Sequence, residues 1–248
     1  MNTTPSPVNI LAIGVHPDDV ELSCSGTLLR HIDMGYTVGL LDLTRGELGS
    51  RGSAEIRTKE AQESARLMGA KFRHNLDLPD GFMQWSEETI RAIVRVIRAA
   101  KPTIVLANAP ADRHPDHGRA AKLASDACFY SGLVKIETED YSGQPQEKWR
   151  PKALYHYVQD RNIKPNLTVD VSDFFERKME LILCFKSQFN HEHNDEYAGE
   201  PETPISGEAF MAYQRAKATV YGRDADYSYA EAFVMERLPG VRDLVSLD

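Results

Sequence analysis

A chain of 248 residues, 42% hydrophobic and 27% charged, can bury one sizeable core and lacks the composition of a disordered, fibrous or disulfide-stapled protein. Lys plus Arg number 29 against 37 Asp plus Glu, and the net charge of −8 argues against nucleic acid or an anionic membrane as the main partner. A local arginine cluster can still draw an acidic small molecule into one cleft.

The N-terminal stretch before Asn9 has neither the basic segment nor the apolar run of a signal peptide, and no later stretch approaches membrane-spanning length. Asn9 to Val15 is a short, nearly unbroken apolar run, as expected of a strand buried on both faces. A helix is predicted from about Val20 to Met34, stopped by Gly35, and Thr37 to Leu43 reads as the next strand. Ala54 to Met68 is helical in pattern and ends at Gly69; Lys71 to Leu76 fits a third strand. Ser86 can cap the following helix, Glu87 and Glu88 suit the positive end of its dipole, and Ile90, Ile93, Val94 and Ile97 form one apolar stripe. Lys101-Pro102 stops that helix, because a residue before proline disfavours the helical region. Thr103 to Ala107 is another buried strand, followed by a helix from Pro115 to about Phe129.

The second half is less regular. Glu137 to Arg150 reads as a polar surface excursion, Ala153 to Val158 and Leu167 to Val171 as short strands, and Phe174 to Phe189 and Glu208 to Tyr221 as helices before a last strand from Tyr229 to Met235. Repeated strand–helix–strand units predict an α/β fold: a Rossmann-like, mostly parallel sheet with helices on both faces and an irregular C-terminal elaboration, in a single domain over 1–248. The three cysteines, Cys24, Cys128 and Cys184, are odd in number and far apart, so a disulfide framework is not expected and a reducing, cytoplasmic setting is.

Two words stand out, His16-Pro17-Asp18-Asp19 and His114-Pro115-Asp116-His117. Each follows a predicted parallel strand, and ligands of open α/β sheets bind at the carboxyl ends of strands. Pro and Asp favour turns, so one such word alone would read as a turn. Two of them, both leaving buried strands, bring imidazoles and carboxylates to one edge. Two imidazoles plus a carboxylate are a common catalytic zinc set with a position open for water.

These words, together with Asp42-Leu-Thr-Arg-Gly-Glu-Leu-Gly-Ser-Arg-Gly52, Asn75-Leu-Asp-Leu-Pro-Asp-Gly81, Asp112-Arg-His-Pro-Asp-His-Gly118 and Lys186-Ser-Gln-Phe189, resemble the LmbE/PIG-L superfamily of zinc-dependent deacetylases, in particular its bacillithiol-biosynthesis branch. The resemblance implies one zinc ion per chain held by His16, Asp19 and His117, with Asp18 as general base. It gives His114, held by Asp116, the stabilisation of the tetrahedral oxyanion as a cation. The implied reaction is removal of an N-acetyl group from an amino sugar, N-acetylglucosaminyl malate in that branch. It also implies a homo-oligomer, and points to Arg57 for substrate binding with Glu47 and Arg51 nearby. Arginine suits malate because its fork matches carboxylates bidentately, although pairing with local acids is the plainer fate of any of these arginines except Arg57.

Other features are weaker. His191-Glu-His193 lies in a polar stretch and reads as a solvated loop, with a role covering the site as the minor reading. Gly14, Gly26 and Gly46 do not form the G-x-G-x-x-G of a dinucleotide site. His31, His74 and His156 fit structural roles, and Cys24 fits a small buried residue. The alternatives are an amidase cleaving thiol conjugates, a deacetylase of another small glycoside, and a non-catalytic sugar-binding module; the last has no use for a base beside a complete ligand set.

Overall fold

The computed structural model describes residues 3–189, 197 and 199–243. Its core is a seven-stranded sheet in the order β3-β2-β1-β4-β5-β7-β6. The strands are β1 (Ile10–Gly14), β2 (Val38–Thr44), β3 (Phe72–Leu78), β4 (Ile104–Ala107), β5 (Ala153–Tyr157), β6 (Leu167–Asp170) and β7 (Ala230–Met235). The first five are parallel, whereas β7 pairs antiparallel with both β5 and β6. The expected α/β architecture, with a less regular C-terminal part, is what forms.

The helices are α1 (Asp19–Asp33), α2 (Ala54–Met68), α3 (Glu87–Ala100), α4 (Pro115–Tyr130), α5 (Phe175–Ile182) and α6 (Glu208–Arg223). Period-2 alternation divides β1 between two cores. Leu11 and Ile13 face Ile93, Val94 and Ile97 of α3 and Ala120 and Ala124 of α4. Ile10 and Ala12 face Val20, Cys24 and Leu28 of α1 and Ala65 of α2. Helix boundaries follow local chemistry: Ser86 Oγ accepts from Thr89 N at 3.0 Å to start α3, and Gly69 ends α2 with φ of 85°.

One predicted helix differs. The segment expected to be helical from Phe174 to Phe189 begins as a 3-10 turn over Ser172–Phe174, and α5 ends at Ile182. Beyond it the chain is held by tertiary bonds: Ser187 donates through N and Oγ to Glu60, and Ser187 O accepts from Arg51 Nε. Phe185 and Phe189 meanwhile join Ala61, Ile182 and Phe210 in a separate core. These contacts outweigh helical propensity.

A buried ionic cluster joins four elements. Arg73 of β3 bonds Asp42 of β2 at 2.7 and 2.8 Å and Glu21 of α1 at 2.6 Å, and Glu21 also accepts from Ser64 of α2.

Candidate active site

The order β2-β1-β4-β5 makes the β1/β4 boundary the place where crossovers leave in opposite directions, the switch point at which open sheets bind ligands. The first His-Pro-Asp word leaves β1 and runs into α1; the second leaves the β4 loop and runs into α4, with Pro115 at its first position. Parallel pairing of β1 with β4 brings them together. The ring centroids of His16 and His114 are 4.7 Å apart, those of His114 and His117 5.2 Å, and those of His16 and His117 5.7 Å.

Asp19 lies between two of these rings, 3.8 Å from His16 Nδ1 through Oδ2 and 3.2 Å from His117 Nε2 through Oδ1. Its Oδ2 accepts from Val15 N, His16 N and Asn108 Nδ2, each at 2.9 Å, and its Oδ1 from Gln159 Nε2 at 3.1 Å. Burial opposes ionisation here, but the His117 and His16 rings and these donors hold the Asp19 carboxyl well below the usual range.

The far nitrogen of each flanking imidazole is bonded to a carboxylate. His16 Nε2 is 3.0 Å from Asp80 Oδ1, and His117 Nδ1 is 2.5 Å from Asp112 Oδ2. This is the outer arrangement that fixes ring orientation and tautomer of metal-binding histidines, leaving His16 Nδ1 and His117 Nε2 toward Asp19. The donor set therefore fits a divalent cation. His16, His114 and His117 also offer ring nitrogens within 4.8 Å of one another, so His114 stands in the same donor cluster.

Asp18 sits at the start of α1 with φ of 139°, a conformation costly for a non-glycine residue. Burial pushes its carboxyl up to about 7 against the pull of Arg57. Arg57 Nη2 donates to Asp18 Oδ2 at 2.9 Å and to Pro17 O at 3.0 Å, and Nη1 to Gly46 O at 3.2 Å. Gly46, with φ of 66°, permits this close approach, since a Cβ there would lie 2.0 Å from Arg57 Nη1.

The remaining expected site residues are placed as follows. Asp116 meets His114 through its backbone N–H, 3.3 Å from Nδ1, not through its carboxylate, which accepts from Gly81 N and Arg119. With Nδ1 accepting, the ring proton belongs on Nε2. Burial, then the neighbouring His16 and His117, lower the His114 pKa, which favours a neutral donor over the expected cation. Glu47 is exposed and does not line the cavity; its Oε1 accepts from Asp80 N at 2.8 Å. Arg51 is fully buried and donates to the carbonyls of Ser187, Tyr197, Glu200 and Pro201, so its guanidinium is engaged inside the fold. His191-Glu-His193 lies outside the described residues.

These groups open into a cavity of about 370 Å³, whose apolar lining includes Leu22, Leu48 and Phe210. Asp80, Asp112, Asn108 and Gln159 are the site residues that sequence reasoning did not single out. Gln159 follows β5, the parallel neighbour of β4, so the strand-end rule that located the two words could have found it.

Comparison with known proteins places residues 11–128 in a match to the family model described as PIG-L: GlcNAc-PI de-N-acetylase. The chain is 31% identical over 242 residues to a diacetylchitobiose deacetylase of Thermococcus kodakarensis, covering 94% of this chain and 84% of that protein. Among solved structures it resembles a conserved protein from Thermus thermophilus, with TM-score 0.83, 34% identity, and coverage of 97% of this chain and 100% of that one. It is also similar to the N,N'-diacetylchitobiose deacetylase from Pyrococcus horikoshii complexed with its inhibitor, with TM-score 0.76, 28% identity, and coverage of 92% and 83%.

Proposed function

Because this chain belongs to the PIG-L (LmbE-type) family of hydrolytic deacetylases acting on N-acetylated sugars, we propose that it removes the N-acetyl group from an N-acetylglucosaminyl saccharide with the help of one zinc ion. The observation that carries this reading is the set His16, Asp19 and His117, with both rings backed by carboxylates and Asp18 beside them. Such a site also accepts iron, cobalt or manganese, and zinc is the ion we assign. When bound, it would polarise the amide carbonyl and lower the pKa of an attacking water to about 7.

The chain's own groups handle the protons. Asp18 takes a proton from the water as its oxygen adds to the carbonyl carbon, and that proton passes to the departing nitrogen as the C–N bond breaks. Acetate and a free amine result. His114 Nε2–H donates to the oxyanion, a role worth about 10²–10³ in rate in comparable sites. Arg57 binds Asp18 and holds it in its strained position.

Malate, the aglycone of the bacillithiol branch, is the second reading. Its support is arginine near the site, yet Arg51 is engaged inside the fold, Arg57 faces Asp18, and Arg113, on the cavity lining, pairs with Asp160. A neutral saccharide therefore fits better. The test is free-amine release from diacetylchitobiose and from N-acetylglucosaminyl malate, by zinc-loaded and chelator-stripped protein. Release from the disaccharide that disappears on stripping and returns with zinc supports the proposal. Release from the malate conjugate alone favours the second reading, and none from either by folded, zinc-loaded protein rejects both.

A further inference from the structure

Resting on the reading that the cavity receives an N-acetyl sugar, we infer that Ser23, Gln214 and Lys217 form a subsite for the sugar's hydroxyl groups on the cavity wall built by α1 and α6. All three line the same cavity as the His-Asp cluster. Ser23 lies one helical turn beyond Asp19 on the same face of α1. Gln214 and Lys217 are three residues apart on α6, again one face. Leu22, next to Ser23, packs against the cluster that contains Phe210, which stands one turn before Gln214.

Ser23 is 4% exposed and Gln214 3% exposed, yet Ser23 Oγ and Gln214 Oε1 have no hydrogen-bond partner among the described residues. Native proteins rarely leave buried polar atoms unpaired, and two such atoms lining one cavity call for a partner that enters it. Lys217 supplies the complementary donor. Its Nζ gives one hydrogen bond, at 2.9 Å, to Gln159 O, which leaves further N–H groups for a ligand. Gln159 also holds Asp19 Oδ1 through its side chain, so the subsite adjoins the catalytic cluster through one residue.

The donor–acceptor pattern selects the ligand chemistry. Gln214 Oε1 only accepts, Lys217 Nζ keeps N–H groups to donate even though burial pushes its pKa down to about 7, and Ser23 Oγ does either. A carboxylate would satisfy Lys217 and leave Gln214 Oε1 unpaired. An ammonium would do the reverse. Hydroxyl groups both donate and accept, so a polyhydroxylated ring can satisfy all three. The subsite thus recognises the ring that carries the acetamide, not an acidic aglycone.

The experiment is calorimetric binding of methyl glucosaminide, a product-type sugar that cannot turn over, to the zinc-loaded protein and its Gln214→Met and Lys217→Met variants. Each variant should bind roughly 10-fold more weakly, with zinc content and thermal midpoint unchanged. Deoxy analogues lacking one ring hydroxyl should show a similar loss with wild type, and for the hydroxyl concerned almost no further loss with the matching variant. Wild-type affinity in both folded, zinc-loaded variants would overturn the subsite while leaving the deacetylase reading intact. Failure of wild type to bind the sugar at all would remove both. Lys217 is only half-buried, so its variant keeps the test decisive if Gln214→Met misfolds.

Discussion

Asp18 and Asp19 are adjacent in sequence and buried side by side, yet their surroundings push them in opposite directions. Asp19 is held ionised by neighbouring imidazoles and four donors, whereas burial raises Asp18 to about 7 despite Arg57. Carboxylates whose environments separate them in this way take different roles, which is what the proposed assignment of Asp19 as ligand and Asp18 as base uses. Asp18→Asn should keep zinc content within error of wild type and lower kcat by at least about 100-fold. Metal analysis alongside amine-release kinetics checks this, and near-normal turnover would remove Asp18 as the base. The His and Asp words were legible because one abuts an apolar run that reads as a buried strand and the other sits on the short loop leaving a second such run. Asp80, Asp112, Asn108 and Gln159 were not, because their part depends on which ring nitrogen or carboxylate oxygen they face, a relation that exists only after the strands pair. Glu47 and Arg51 mark the converse: polar residues in site-edge loops that the fold uses to brace its own backbone.

At the scale of elements, the caps and apolar stripes located α1 to α4 to within a residue or two, because those helices are decided locally. The shortened α5 was not legible, since Ser187 is drawn away by Glu60 and Arg51 from elsewhere in the chain. The Arg73 cluster is likewise long-range, and it braces the base of α1 against β2, β3 and α2. Arg73 is 2% exposed, Asp42 2% and Glu21 0%, so removing the cation leaves two carboxylates uncompensated. Arg73→Met should cost about 3–5 kcal/mol in urea denaturation, and adding Asp42→Asn and Glu21→Gln should recover part of the loss. A cost below about 1 kcal/mol would show that the cluster is not an ionic brace.

For the whole molecule, the parallel half of the sheet could be inferred from strand–helix alternation, while the antiparallel return of β7 between β5 and β6 could not, because short strands carry no mark of their partners. None of the described helices is long and apolar enough to cross a membrane. A cation bound only by the folded chain adds its binding free energy to stability. Zinc at about 100 times its dissociation constant contributes about 2.7 kcal/mol, which for a chain of this size should raise Tm by about 5–10 °C. A thermal scan with zinc and with chelator checks this, and coincident curves would argue against a metal centre at the switch point.

The donors around Asp19 come from distant parts of the chain: Asn108 is 89 residues away in sequence and Gln159 140. Such contacts carry a large loop-closure cost and form late, after the parallel pairing of β1, β4 and β5. On a ribosome adding about 5–20 residues per second, the N-terminal word emerges many seconds before its partners. During that interval His16 and Asp19 form no assembled pocket. On the proposed reading, the metal centre closes only once β1, β4 and β5 have paired, so an ion would be held only by a chain whose parallel sheet is complete.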